Sequence, residues 1–293
     1  MKRLGIYFFF DADGIVDRYV DYALKCIVPF FERILIVCNG KLSQEGREVF
    51  EKYTSDVLVR ENKGFDVWAY KTAMDSVGWA DLCTYDEVIL MNYTIMGPIY
   101  PLEEMFSYMD NRKELDFWGI TKCFREDSPM TQEVWKCPYG YVPEHIQSSF
   151  MAFRKSFLSA PSFQKYWDEL PMIHSYYESG GKHEQYFTKY FGDQGFKWDC
   201  YTDYRDMDEE IYTCCPLIVA PNEVVKRRKS PFFKRRSLFS SISDYSYVTP
   251  EINSFIAFLE NETDYDTTMI LPNLIRTCEQ RSLVENFGLF HTL

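Results

Sequence analysis

RLGIYFFFDADGIVDRYVDYALKCIVPFFERILIVCNG, residues 3–40, reads as a strand, a helix and a second strand. Leu4 to Phe10 is a short apolar and aromatic run without polar alternation, the pattern of a strand covered on both faces. Ile15, Tyr19, Tyr22 and Cys26 then recur at helical spacing until Pro29 stops them, and Ile34 to Cys38 forms the next apolar run, closed by Asn39-Gly40. The same alternation continues outward from this unit. Residues 43–54 read as a helix with Ser43 as N-cap, Asp56 to Arg60 as a strand, and 66–78 as a helix burying Val67, Tyr70, Met74 and Val77. Glu87 to Met91 is a fourth strand, followed by a helix near 102–110 and a strand near 116–121. Short connections between alternating strands and helices predict an α/β fold, a mostly parallel sheet with helices on both faces. Ligands of such sheets sit at the carboxyl ends of the strands, which singles out the loops starting at Asp11, Asn39, Asn62 and Asn92.

The second half is less regular. Phe150 to Phe153 reads as a strand, 155–169 as helical segments, 183–194 as a helix, Phe196 to Tyr201 as a strand, 202–250 as loop-rich and 251–280 as helical. No repeat or low-complexity linker interrupts the chain. The expected organisation is one α/β domain over residues 1–240, with a helical C-terminal extension, 241–293, packed on it.

Composition narrows the function. The 293 residues are 46% hydrophobic and 18% aromatic, which excludes a disordered chain and supplies a large core. A formal charge of −12 argues against a duplex nucleic-acid binder, which needs a broad cationic footprint. No apolar run reaches the roughly 18–20 residues that cross a bilayer. The nine cysteines contain no Cys-x-x-Cys and the four histidines no HExxH, so the thiols are expected to be reduced and the compartment cytoplasmic. The phosphate-cradling G-x-x-x-x-G-K-[ST], the dinucleotide G-x-G-x-x-G and the hydrolase G-x-S-x-G are all missing.

Two stretches remain as candidates. VRENKGFDVWAYK, residues 59–71, places Arg60, Asn62, Gly64 and Asp66 between a strand end and a helix start. Gly64 would let the backbone approach a ligand, and Asp66 could cap the helix or accept bonds from hydroxyls; the plainer reading is a strand-to-helix turn. VILMNYTIMGP, residues 88–98, carries Asn92, Tyr93 and Thr94 to the end of a strand, where polar side chains can hold a ribose, a diphosphate or a metal.

Together these stretches resemble nucleotide-sugar glycosyltransferases of the GT-A type, and more closely the rhamnan synthesis protein F family of bacterial polysaccharide biosynthesis. The resemblance rests on R-x-N-x-G-x-D-x-x-A-Y-K (Arg60 to Lys71), on Asn92 to Pro98, and on H-x-Q-S-x-F (His145 to Phe150). It extends to Glu184 with Gly195 following and to P-F-F-K-R (Pro231 to Arg235), covering roughly residues 3–239. It implies a GT-A-like, Rossmann-type fold and transfer of a sugar, rhamnose or another deoxyhexose, from a nucleoside diphosphate to a growing cell-surface polysaccharide. Donor contacts would come from Arg60, Asn62, Gly64, Asp66, Asn92, Thr94, His145, Gln147, Ser148, Lys234 and Arg235. Glu184 would be the general base for the acceptor hydroxyl, with Asp116 in reserve. Trp118, Tyr139 and Tyr141 could floor a sugar ring.

One departure bears on the cofactor. The family shows Asn-Asp-Ser where this chain has Asn92-Tyr93-Thr94, and a tyrosine does not ligate Mg²⁺ or Mn²⁺ as a carboxylate does. No metal ligand is therefore assigned: Asp66 or Asp116 could supply a carboxylate to a divalent ion, or cationic side chains could neutralise the diphosphate instead. Residues 222–236, NEVVKRRKSPFFKRR, hold seven Lys/Arg and one acid. Lys234 and Arg235 suit the diphosphate; residues 226–236 also suit the anionic inner face of the cell membrane, compatible with a lipid-linked glycan acceptor. The rival readings are an inactive nucleotide-sugar or glycan binder, and a membrane-peripheral assembly protein of the same pathway.

Overall fold

The apolar run that opens the chain becomes the middle of a sheet, as its lack of alternation requires. A computed structural model describes residues 1–207, 215–240 and 252–287. Its strands, in chain order, are β1 (Arg3–Asp11), β2 (Arg33–Gly40), β3 (Val57–Arg60), β4 (Glu87–Asn92), β5 (Ile95–Met96) and β6 (Phe117–Gly119). They continue with β7 (Lys122–Cys123), β8 (His145–Ile146), β9 (Phe150–Arg154), β10 (Trp198–Cys200) and β11 (Phe233–Lys234). Seven of them form one sheet in the order β10-β6-β9-β4-β1-β2-β3. Every neighbouring pair is parallel except at β9, which runs antiparallel to β4 and β6. This is the expected mostly parallel α/β sheet flanked by helices.

Successive β1 residues feed opposite cores. Tyr7 and Phe9 face the helices Arg18–Ile27 and Leu102–Asn111, whereas Leu4, Ile6 and Phe8 face the helix Phe65–Val77. Burying each such side chain contributes about 1.5–3 kcal/mol. The C-terminal helices Ile252–Glu262 and Ile270–Thr277 join the first of these cores through Phe255, Phe258, Leu259, Ile270 and Leu274. At the amino-terminal edge of the sheet, Glu87 is fully buried. It accepts from Arg3 Nε at 2.8 Å and from Trp118 Nε1 at 2.7 Å, and it pairs with Arg154 at 3.1 Å.

Several local expectations need correction. The two-residue pairs β5–β11 and β7–β8 and the helix Pro129–Trp135 carry no periodic signal and were not expected. The helix read at 183–194 opens instead as a π-helical segment, Gly180–Glu184, continuing as Gln185–Gly192. The strands near 116–121 and 196–201 shorten to β6 and β10. The loop-rich reading of 208–214 and 241–250, Cys214 included, lies outside the described residues, as do 251 and 288–293 of the C-terminal extension. The described cysteines are unbridged thiols. No helix among the described residues is long and apolar enough to cross a membrane.

Candidate active site

The chain places β2 and β3 on one side of β1 and β4 on the other, so the strand order reverses between β1 and β4. The crevice at their carboxyl ends is where such sheets bind ligands. β4 is buried throughout and delivers Asn92 there. Asn92 donates to Asp66 Oδ2 at 3.1 Å, while its Oδ1 accepts from the Thr94 N–H at 3.1 Å. Thr94 in turn accepts from Lys234 Nζ at 2.8 Å. Lys234 reaches this point because β11 pairs with β5. Gly97 makes that approach feasible: a Cβ there would lie 2.6 Å from the Pro231 carbonyl oxygen, which accepts from the Ile99 N–H at 2.7 Å.

Glu184 ends the π-helical segment and forms the opposite wall. Its Oε2 accepts from the Ser148 N–H at 2.9 Å and from the Ser148 hydroxyl. His145 Nδ1 donates to the Pro143 carbonyl at 2.7 Å, which turns Nε2 toward Glu184 Oε1 at 4.0 Å. Burial opposes ionisation of Glu184, but His145, Lys234 and the two Ser148 hydrogen bonds outweigh it and hold the carboxyl below its usual range. Asp66 moves the other way. Burial raises its carboxyl and the Glu184 charge adds to the rise, while Lys234, Asn92 and the Val67 amide offset only part. Two carboxylates pushed in opposite directions thus share one ammonium, an arrangement typical of functional sites.

The remaining expected residues divide into those that line this crevice and those that support it. Arg60 is turned inward, donating to Asn39 Oδ1 at 2.7 Å and to the Lys63 carbonyl at 2.9 Å, and so fixes the loop that carries exposed Asn62. Gly64, at φ 74°, is the N-cap of its helix; Asp66 sits inside the first turn and is not the cap. A Cβ on Gly64 would lie 2.4 Å from Trp68 Cγ. Gln147 is buried, bonded to Thr121 at 2.7 Å and to Cys215 Sγ at 2.5 Å. Arg235 lies over the Tyr93 ring and donates to Asn273 Oδ1 at 2.9 Å. Asp116 stands at the opposite edge of the sheet, held by Ser156 at 2.8 Å and the Lys197 N–H at 2.9 Å, and is not brought to Glu184. Trp118 is fully buried, and Tyr139 and Tyr141 stand by Lys189 and Arg125, so the expected aromatic floor does not form.

The basic run splits in two. Lys226 pairs with Glu262 at 2.6 Å, Arg227 with Glu223 at 3.2 Å, and Arg228 with Glu223 at 2.8 Å and Asp206 at 2.7 Å. Those charges meet acids of the same chain, whereas Lys234 faces the crevice.

A divalent ion here would have two carboxylates to bind, in the manner of Mg²⁺ held largely by substrate phosphates, in competition with an ammonium. Asp66 and Glu184 are the carboxylates at the crevice, an ammonium stands beside both, and the Tyr93 ring packs edge-on to Phe8 and Phe9 under Arg235. Among the described residues no three His, Cys, Asp or Glu side chains gather as a metal site.

Sequence reasoning named the basic run that ends at Arg236 and the loop that starts at Asp11, but not their partners, and it missed Cys215. Arg236 donates to Tyr176 Oη at 2.7 Å at the rim. Cys215 lies behind Lys234, its thiol held low despite burial by contact with Cys123 and the Lys234 charge. Asp11, at the end of β1, pairs with Arg276 at 2.7 Å, and Arg276 and Asn273 both donate to Asp17 Oδ2 at 2.6 Å. Arg236 was visible as part of the basic run and Asp11 as the end of the first strand, whereas nothing in the chain order marks Cys215.

The family described as rhamnan synthesis protein F matches residues 34–288. No curated protein matches the chain. Among solved structures, glucosyl-3-phosphoglycerate synthase from Mycobacterium tuberculosis in complex with phosphoglyceric acid is similar at 11% identity and a TM-score of 0.34, covering 53% of this chain and 57% of that one. The same enzyme with Mn²⁺, uridine-diphosphate-glucose and phosphoglyceric acid gives 12% and 0.33, again over 53% and 57%. The chain thus spans little more than half the length of that enzyme.

Proposed function

Because the chain belongs to the rhamnan synthesis protein F family, we propose that it is a glycosyltransferase, moving a sugar from a nucleoside-diphosphate donor to a glycan acceptor. The observation that carries this reading is the meeting of Asp66, Asn92, Thr94, Glu184 and Lys234 at the strand-order reversal. In it, Asn92, Thr94 and Asp66 hold the ribose and diphosphate. Lys234 neutralises the charge that grows on the leaving diphosphate as the bond from the sugar C1 to phosphate oxygen breaks. The acceptor oxygen forms the new bond to C1, and its proton passes to Glu184, whose lowered pKa keeps it ionised at neutral pH. The donor sugar fitting the family is rhamnose or another deoxyhexose, and the product a cell-surface polysaccharide. Residues 1–240 would form the catalytic unit and the helices after 252 its brace. With Lys234 near the phosphates, the reading requires no divalent ion.

The test is thermal denaturation with UDP and dTDP, each with Mn²⁺ or with EDTA, followed by release of nucleoside diphosphate from candidate donors. A nucleotide at roughly 100-fold above its Kd stabilises the folded state by about 2.7 kcal/mol. A shift that survives EDTA supports the reading. A shift requiring Mn²⁺ removes the role given to Lys234, and no shift with either nucleotide overturns the proposal.

A further inference from the structure

Beyond the crevice, three aromatic rings stand where burial would normally hide them. Tyr176 and Tyr177 are 47% and 52% exposed. Trp135 meets them at centroid distances of 5.5 and 5.4 Å, and the two tyrosines are 5.8 Å apart. All three pairs are inclined by 59° to 72°, so each ring braces its neighbours edge to face and keeps part of its own face outward. The backbone is shaped to admit them. A Cβ on Gly180 would lie 2.2 Å from the Trp135 ring, and one on Gly181 would lie 1.8 Å from the Trp135 carbonyl oxygen. These glycines open the π-helical segment that ends at Glu184 and follow directly on the helix Tyr176–Ser179, so the two tyrosines and the carboxylate lie on one continuous stretch of chain with Trp135 packed on it.

The cluster is also tied to the cationic wall. Arg236, two residues beyond Lys234, donates to Tyr176 Oη at 2.7 Å and lies 5.3 Å from its ring centroid. The Arg236 charge and the Glu184 carboxylate act on the Tyr176 phenol in opposite directions. Water-exposed aromatic faces beside fixed polar groups suit a ligand with one apolar and one polar face. A pyranose has that form, C–H bonds on one side and hydroxyls at the rim, and a 6-deoxy sugar adds a methyl.

We infer that Trp135, Tyr176 and Tyr177 form an acceptor subsite, stacking the pyranose ring next to the one whose hydroxyl faces Glu184. This rests on the transferase reading above and names the acceptor class for that same site: a chain of pyranose units, bound by ring faces in preference to charge.

The test is calorimetric titration of the whole chain, saturated with UDP, against a rhamnose trisaccharide, with maltotriose as the hydroxymethyl control. Wild type should bind the rhamnose trisaccharide more tightly than maltotriose. Tyr177→Ala and Tyr177→Leu should each weaken that binding about tenfold, the loss of one stacked ring, and Tyr177→Phe should stay within about twofold. UDP affinity should be unchanged in all three, which also certifies their folding. Equal trisaccharide affinity in Tyr177→Leu and wild type overturns the subsite, as does a wild type that binds UDP but no trisaccharide. Sedimentation with phosphatidylglycerol vesicles, lost in Tyr177→Leu, would overturn it in favour of a membrane face. Failure of wild type to bind UDP or dTDP would instead sink the transferase reading, whatever the trisaccharide does.

Discussion

Replacing Lys234 by Met removes one charge from the crevice while keeping the stem that packs there. A unit charge about 4 Å from a phosphate is attracted by about 4 kcal/mol at an effective dielectric of about 20. Desolvation takes back part of this, and hydrogen bonds to charged groups net about 1.5–3 kcal/mol. Affinity for UDP or dTDP should therefore fall by roughly 10- to 150-fold, read by calorimetry. The same variant has a signature in pH. In the wild type, Lys234 helps hold Glu184 below its usual range and also pulls against the raised Asp66. A depressed carboxylate contributes stability that is present above its unfolded pKa and lost as pH falls through its folded one. Without the ammonium, both carboxyls move up, so Lys234→Met should be least stable relative to wild type near pH 7. The deficit should close as pH falls through the folded-state values of the two carboxyls, first at the raised Asp66 and last at Glu184, which wild type holds below its usual range. Urea melts across that range measure it. A nucleotide affinity within about threefold of wild type, or a stability deficit independent of pH, would refute the assignment of Lys234.

Three further substitutions probe other parts of the argument. Glu184→Gln keeps an acceptor for Ser148 but no longer takes a proton, so turnover should fall by about 10² to 10⁴ with nucleotide Kd unchanged; equal turnover removes Glu184 as base. Glu87→Ala leaves two buried arginines facing a void and should cost about 3–5 kcal/mol in urea denaturation; a loss under about 1 kcal/mol would show that the cluster does not hold the sheet edge. Gly64→Ala must adopt φ near 74° against Trp68 and should destabilise by about 1–3 kcal/mol, measured by thermal melting; a neutral result would mean that the turn relaxes freely.

The sheet was legible because its signals are local and repeated. Leu4 to Phe10, Ile34 to Cys38 and Glu87 to Met91 are each unbroken apolar runs, and a strand covered on two faces has no other way to be written. β5 and β11 were not legible, since two residues have no period and their pairing depends on a partner far along the chain. The candidate site divides on the same ground. Its segments were named from motifs, but the direction of each side chain was not. Arg60, His145 and Gln147 turn inward to a side chain or carbonyl that the motif does not contain, while Ser148 and Lys234 turn toward the crevice. The run from Lys226 to Arg236 reads as one patch, yet Glu262, Glu223 and Asp206 claim its first part. Tyr176 and Trp135 were lost among the many aromatics of the chain.

The contact between Lys234 and Thr94 joins residues 140 positions apart. Non-local contacts of that kind form only after the entropy of closing a long loop has been met, so they tend to arrive late in folding. β1 to β4 pair through short crossovers and can assemble before the later residues are in place. By that argument the crevice is completed after the β1–β4 part of the sheet. Under mild urea, hydrogen exchange at the amides of Ile99 and Arg235 should run ahead of that in β1 and β4, and equal protection would contradict it. Nucleotide capture would in that case act as a proofreader of maturation, engaging only those copies whose distant halves have already met.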